Sequence, residues 1–448
     1  MEKIVVVGGG IAGTIAAMTA KKESSKTPVS LITEERYAAY SRCGLPYLIS
    51  GEVKRWEHLL IYNEETLRNQ TMIDLKLSTY VKKIDTSNRR IIISELNEYS
   101  KTLEYTKLII ATGATAIKPS IVGINLKNVF EIRNLNDSLK IKEAAQSKGK
   151  AIIVGGGLVC LETAEALRRT GVKVTIVSQE KEILSMVFDE EIGKLVRRRL
   201  EEHKVEVIEA SKLEYIYGTR KVEAVKVNGR ILPCSILVMA LGVKPNSSLA
   251  LEAGIPTGKY GGIIVNDKME TKIQDIYAAG DCTEIYNFIT NEYMPIQLAT
   301  IAHREGEIAG GNSVGGNKGI GKVVSNSCTK IFGLELATVG ITLKEADRMG
   351  IKAYDIFIKS SNKIDYFPRK KSVWTYLIFD SKTNRLIGAQ LAGERASTWG
   401  NFAALAILQG LNVDDLANFS NSYSPSVENF WAGLVVAAKK VRELKTII

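Results

Sequence analysis

The sequence holds only three histidines, His58, His203 and His303, and they stand far apart. Its five cysteines, Cys43, Cys160, Cys234, Cys282 and Cys328, never fall at the short spacings of a zinc site. Bound metals are held by clusters of such ligands, so no metal is expected. An odd, scattered set of thiols also excludes a disulfide framework and fits a reducing compartment. Long hydrophobic runs are missing too: no stretch approaches the ~18 uninterrupted apolar residues of a membrane span. The opening MEKIVVVGGG passes straight into a strand, without the basic and apolar regions of a signal peptide, and the expectation is a cytoplasmic chain with no membrane partner. Net charge is +11, but the basic residues are dispersed and no nucleic-acid motif accompanies them. Anionic small molecules, rather than nucleic acid, are the expected partners.

What is present is an ordinary α/β composition, 45% apolar over 448 residues. At roughly 100–200 residues per domain this predicts two to four domains. KIVVVGGGIAGTIAAMTAKK reads as a short β-branched strand, a glycine turn and a helix, and VSLIT follows as a second strand. The turn carries G-x-G-x-x-G at Gly8, Gly10 and Gly13. Such glycines permit a sharp turn, let the backbone approach a pyrophosphate, and let helix and strand pack closely, while the helix N-terminus offers free N–H groups to the anion. Glu34 follows Gly13 at about the 20-residue separation expected of the acid that holds a ribose.

KAIIVGGGLVCLETAEALRRTGVKVTIVSQE repeats the unit, with Gly155 and Gly157, and with Cys160 in the third-glycine place. Two more apolar strands run into glycine turns, LIIATGAT and IYAAGDCTE. From about residue 323 the texture changes to alternating strands, as in SVWTYLIFD, followed by the helical FAALAILQGL. This predicts an α+β domain without a nucleotide signature, suited to dimerisation.

Taken in order, GGGIAG, the ATG turn at Ala111, Thr112 and Gly113, the second GGG and AAGDC resemble the pyridine nucleotide-disulfide oxidoreductases over essentially the whole chain. The resemblance implies two Rossmann-like domains, for FAD and NAD(P), and a C-terminal dimerisation domain. It further implies that the FAD domain is interrupted: residues 1–115 and 245–322 for FAD, 116–244 for NAD(P), and 323–448 for dimerisation. FAD and NADPH or NADH are the implied cofactors. Their implied contacts are Gly8, Gly10, Ile11, Ala12, Gly13, Glu34, Arg42, Ala111, Thr112, Gly113, Gly280, Asp281, Ala299 and Thr300, together with Gly155, Gly157, Leu158, Val159, Glu162, Ser178 and Gly242. Asp281 is implied to meet the flavin ribitol, and Glu162 the nicotinamide.

Within that family, YSRCGLPY resembles the single-cysteine branch, because position 48, where a two-cysteine reductase has its second thiol, is leucine. A thiolate is the reactive form of cysteine and cationic neighbours favour it, so Arg42 is expected to help ionise Cys43. Cys160, Cys234 and Cys328 are read as structural, and Cys282 as a spectator. Peroxidases and oxidases of the branch carry a histidine where this chain has Ile11, whereas Gly-Leu-Pro-Tyr after Cys43 is closer to coenzyme A-disulfide and persulfide reductases. Tyr366 and Tyr423 match tyrosines that in those reductases reach the partner subunit's site, where a phenol can protonate a departing thiolate. Lys21, Lys22, Arg369, Lys370 and Lys371 are candidate ligands for coenzyme A phosphates. The expected activity is reduction of coenzyme A disulfide or persulfide by a homodimer. The alternatives are an NADH oxidase, or a redox-sensing flavoprotein that acts through partner binding. Ser178, with Lys181 near it and Glu180 opposing, predicts appreciable use of NADPH.

Overall fold

The computed structural model describes residues 2–95 and 100–447. The first glycine motif belongs to a five-stranded parallel sheet ordered Ile276–Ala278, Lys107–Ile110, Ile4–Val7, Val29–Ile32, Asp74–Lys76. The run IVVV is buried along its whole length, as a parallel strand covered on both faces should be. Four of these strands end level with one another. Gly8 N–H donates to Ile32 O (2.7 Å), Ala111 N–H to Val7 O (2.8 Å) and Ala279 N–H to Ile110 O (3.0 Å). The glycine turn, the ATG turn and the AAGD turn thus emerge side by side at the carboxyl edge of the sheet. The direction of winding reverses between Ile4–Val7 and Lys107–Ile110, and such a switch point opens the crevice where α/β sheets bind ligands.

A second parallel sheet repeats the plan, ordered Val205–Ile208, Lys173–Val177, Lys150–Val154, Ile236–Met239, Val129–Glu131. Its switch point lies between Lys150–Val154 and Ile236–Met239. The two switch points are built alike: a Cβ on Gly8 would fall 2.0 Å from Ala111 O, and one on Gly155 would fall 2.1 Å from Ala240 O. Only a residue without a side chain lets the neighbouring strands close that far. The third-glycine places differ. A Cβ on Gly13 would lie 1.9 Å from Gly8 O, whereas Cys160 fits its side chain and donates Sγ–H to Gly155 O at 3.3 Å.

The chain crosses between the two sheets twice. The crossings, Ala114–Ala116 and Val243–Pro245, pair antiparallel, and Ile117 N–H donates to Gly242 O (3.0 Å). A third, antiparallel sheet follows, ordered Asn326–Ile331, Leu334–Gly340, Leu386–Ala392, Ser372–Asp380, Ala353–Ser361, and helix Ala396–Gln409 packs on it. This sheet is tied to the second nucleotide unit. Gln390 accepts from Asp189 N–H (2.7 Å) and donates to the Asp189 carboxylate (2.6 Å), and the Phe332 ring stacks on His203 at 4.3 Å. Cys160, Cys234 and Cys282 are buried as expected of structural thiols, but Cys328 is exposed, because the edge strand Asn326–Ile331 turns alternate residues outward. Among the described residues, no helix is long and apolar enough to cross a membrane.

Candidate functional site

Cys43 sits in a single 3-10 turn, Arg42–Gly44, that runs directly into helix Leu45–Ser50 with Pro46 in its first turn. The turn is fixed from below: Ser41 N–H donates to Leu59 O (2.8 Å), and Gly44 lies so close to the Leu59 side chain that a Cβ would fall 2.4 Å from it. Helix Leu45–Ser50 packs on helix Leu158–Arg169 of the second nucleotide unit. The thiol is thus exposed, yet flanked by both nucleotide units.

Its electrostatics differ from the expectation. The Cys43 thiol is pushed up, first by partial burial and then by the carboxylates of Glu162 and Asp281, and Arg133 pulls it down. Arg42 is not among the largest influences on it, and its guanidinium is engaged elsewhere. It pairs with the Glu35 carboxylate, donates to Arg133 O (3.0 Å) and lies over the Tyr40 ring at 5.3 Å. Tyr40 O–H donates to the same carboxylate at 2.5 Å.

Arg133 is a residue of the candidate site that sequence reasoning missed. Its guanidinium donates to the Asp281 carboxylate and to Ala114 O, both at 2.8 Å, joining the AAGD turn to the first interdomain crossing. Asp281 is held further through its own carbonyl, which accepts from Gln297 Nε2 (3.2 Å). The nearest signal in sequence is the Asn134 to Asp137 capping box, which fixes the helix start immediately after Arg133.

Glu162, on helix Leu158–Arg169, is pushed up by burial and held back by Thr329 Oγ–H, which donates to its carboxylate at 2.6 Å from the C-terminal sheet. Tyr47 lies in the same field: burial and then the Glu162, Glu165 and Glu52 carboxylates raise its phenol.

At Gly10 and Gly157 the backbone is extended, with φ of −73° and −86°, so any residue could adopt it. A Cβ at either position would meet no protein atom within 4 Å. The protein itself therefore does not require glycine there. Both positions open onto space beside a helix N-terminus, next to the bare N–H groups that bind phosphates, and a dinucleotide pyrophosphate fits each cradle. Ile11 and Leu158 are half-buried at the two helix starts, Val159 is exposed, Ala12 is buried behind Gly10, and Ala299 and Thr300 are exposed on the first turn of helix Ala299–Asn312.

The two ribose candidates turn out to stand one register apart. A Cβ on Gly9 would meet Thr33, and a Cβ on Gly156 would meet Ser178, so Thr33 and Ser178 are counterparts. Ser178 is 1% exposed and accepts from Glu180 N–H (3.2 Å). Glu34 corresponds instead to Gln179, and both are exposed.

In the C-terminal part, Tyr366 and Tyr423 come together. Both are exposed, and a hydrogen bond between the two phenols raises that of Tyr423. Of the lysines proposed for phosphate, Lys21 is turned onto Ser25 O and Thr27 O (2.6 and 3.2 Å) in the loop that follows its helix rather than reaching outward. Lys370 and Lys371 are paired with Asp365 and Glu394, while Lys22 and Arg369 are exposed.

Residues 2–306 match the family Pyridine nucleotide-disulphide oxidoreductase, and residues 327–432 match its dimerisation domain. The chain belongs to this family. Members carry FAD and exchange electrons with a pyridine nucleotide. The chain is 32% identical to an NADH oxidase of Methanocaldococcus jannaschii, over 98% of each sequence. It is 30% identical, again over 98% of each, to an NAD(P)H coenzyme A polysulfide/persulfide reductase of Pyrococcus horikoshii. Among solved structures, the NAD-dependent persulfide reductase of A. fulgidus superposes with a TM-score of 0.96 at 28% identity, covering 99% of this chain and 84% of that one. This pyridine nucleotide-disulphide oxidoreductase has its two dinucleotide cradles and its exposed thiol on one connected set of contacts.

Proposed function

We propose that this oxidoreductase uses NADPH or NADH to reduce coenzyme A disulfide or a coenzyme A persulfide through Cys43. The observation that carries the reading is the position of the thiol: Cys43 is exposed and feels both Asp281, from the turn of the first nucleotide unit, and Glu162, from the helix of the second. The names of the Pyrococcus horikoshii and A. fulgidus proteins support a sulfur substrate. The FAD would be held by the Gly8 to Gly13 turn, the ATG turn, Arg42, Gly280 and Asp281, and the nicotinamide nucleotide by Gly155, Gly157, Glu162, Gly242 and the Ser178 to Lys181 segment. When bound, FAD supplies the electron pair that the nicotinamide delivers as hydride.

The chain's own residues supply the rest. Cys43 thiolate attacks one substrate sulfur, the other sulfur departs as a thiolate, and Cys43 is left in a mixed disulfide or, from the outer sulfur of a persulfide, as a persulfide; the electron pair would then break that new S–S bond and return the Cys43 thiolate. Arg133 favours the attacking anion, while burial and then the Glu162 and Asp281 carboxylates oppose it. Tyr366 and Tyr423 of the partner subunit in a cytoplasmic homodimer would protonate the departing thiolate, and Lys22 and Arg369 would meet coenzyme A phosphates. A second reading, reduction of oxygen, draws on the name of the Methanocaldococcus jannaschii relative. The test is anaerobic turnover: NADPH or NADH consumption that depends on coenzyme A disulfide or persulfide supports the proposal. Consumption that appears only with oxygen refutes it.

A further inference from the structure

Glu305 belongs to no cradle, yet it is 2% exposed in helix Ala299–Asn312, directly behind the AAGD turn. One of its oxygens, Oε2, accepts from Gly280 N–H at 2.5 Å and from Thr283 Oγ–H at 3.0 Å. These two donors bracket Asp281 in the chain. The turn between them is tightly placed: Gly280 has a φ of +86°, and a Cβ on it would fall 2.8 Å from the Ala12 side chain on the first glycine-turn helix. Helix Ala299–Asn312 can bring Glu305 there because its Gly306 lies against Ala12, where a Cβ would fall 2.4 Å from the carbonyl oxygen.

We propose that Glu305 is a positioning residue for the FAD site, holding the turn on both sides of Asp281, and that it does so as the neutral acid, so that loss of its proton weakens FAD binding. The inference rests on the FAD reading above and adds a residue and a proton to it. The surroundings give the reason. Burial pushes the Glu305 carboxyl up to about 8, the Gly280 and Thr283 donors pull it back, and the Asp281 charge raises it. The groups facing it are Asp281 and Cys282 from the turn and Arg304 from its own helix. Arg304 donates to Ile320 O at 2.6 Å, and Arg133 is already committed to Asp281. Arg304 therefore offsets the Glu305 charge only from a distance, and among the described residues no ion pair neutralises a second carboxylate here. Ionised, Glu305 would set a buried negative charge behind the turn that carries Asp281 and faces the anionic dinucleotide of the FAD reading, and like charges at low dielectric repel strongly.

The experiment measures FAD retention on dilution of the holoprotein between about pH 6.5 and about pH 9.5, by flavin fluorescence of the filtrate. The wild type is expected to hold FAD about tenfold or more weakly at the alkaline end. Glu305→Gln keeps the acceptor oxygen but cannot ionise, so it should match the wild type at the acid end and show no decline. Glu305→Ala should bind weakly throughout, because it loses the positioning contacts. An equal decline in wild type and Glu305→Gln, or no decline in the wild type, overturns the inference. Failure of the wild type to retain FAD at any pH overturns instead the FAD reading on which it stands.

Discussion

Gly10 and Gly13 are three residues apart in one turn, but the structure assigns them opposite reasons for being glycine. At Gly13 the reason is internal. A Cβ there would lie 1.9 Å from Gly8 O and 3.1 Å from the Ala111 side chain, and the first of these is backbone that cannot rotate away. Overpacking of this kind costs about 1–3 kcal/mol. The helix gains back about 1 kcal/mol when alanine replaces glycine. Since a backbone obstacle puts the cost at the upper end of that range, Gly13→Ala should destabilise the FAD-free protein by about 2 kcal/mol, or about 4–8 °C in melting temperature. At Gly10 the reason is external. Its extended backbone suits valine and its Cβ would meet nothing, so the FAD-free protein should lose no more than the N-cap preference, about 1 kcal/mol. FAD should nevertheless be lost, because the side chain fills the pyrophosphate cradle. Thermal melts of FAD-stripped protein, with flavin absorbance after reconstitution, separate the two. Gly10→Val protein that takes up FAD normally, or Gly13→Ala protein that melts with the wild type, would refute the reasoning.

Cys43→Ser should abolish disulfide reduction while flavin reduction by NADPH or NADH continues, and stopped-flow absorbance distinguishes the half-reactions. Glu162→Gln removes a carboxylate that opposes the Cys43 thiolate, so the thiol should ionise at lower pH. Its alkylation by iodoacetamide, read by mass at the Cys43 peptide, should turn on earlier in a pH series, and an unchanged midpoint counts against the coupling. A mixed dimer of Cys43→Ser and Tyr366→Phe, Tyr423→Phe chains, isolated with two tags, should regain turnover that both parents lack; inactivity would break the shared-site proposal. NADPH should be used appreciably, since neither Ser178 nor Gln179 places a carboxylate at the ribose. An NADH preference of about a thousandfold in steady-state kinetics would point to Glu180 as the controlling residue.

Local sequence grammar carried the nucleotide units. Glycine spacing, β-branched strands and the turns ATG and AAGD each encode their structure within about ten residues, and the parallel sheets follow from them. What stayed hidden was set by contacts between distant segments. Arg133 and Asp281 are 148 residues apart in sequence, and Thr329 reaches Glu162 across 167. Arg42 stands next to Cys43 in the chain, yet Glu35 draws its charge away. Lys21 reads as available for a phosphate, but the Ser25 and Thr27 carbonyls beyond its helix end take its ammonium. The register of Ser178 was also out of reach, because it depends on which residue faces the glycine turn rather than on distance along the chain.

The paired crossings at Ala114–Ala116 and Val243–Pro245 have a consequence for how such a protein can be altered. Ile117 and Gly242 are already joined by one backbone hydrogen bond of 3.0 Å, so everything between them enters and leaves the first sheet through a single doorway. A segment with that geometry can be exchanged as a cassette: the flanking sheet needs no change in strand order, and at the doorway the new piece has to offer two ends a hydrogen bond apart. On the proposed reading, donor specificity then becomes a replaceable part. The seams that must be matched are the Arg133 link to Asp281, the packing of helix Leu45–Ser50 on helix Leu158–Arg169, and the Asp189 link to Gln390.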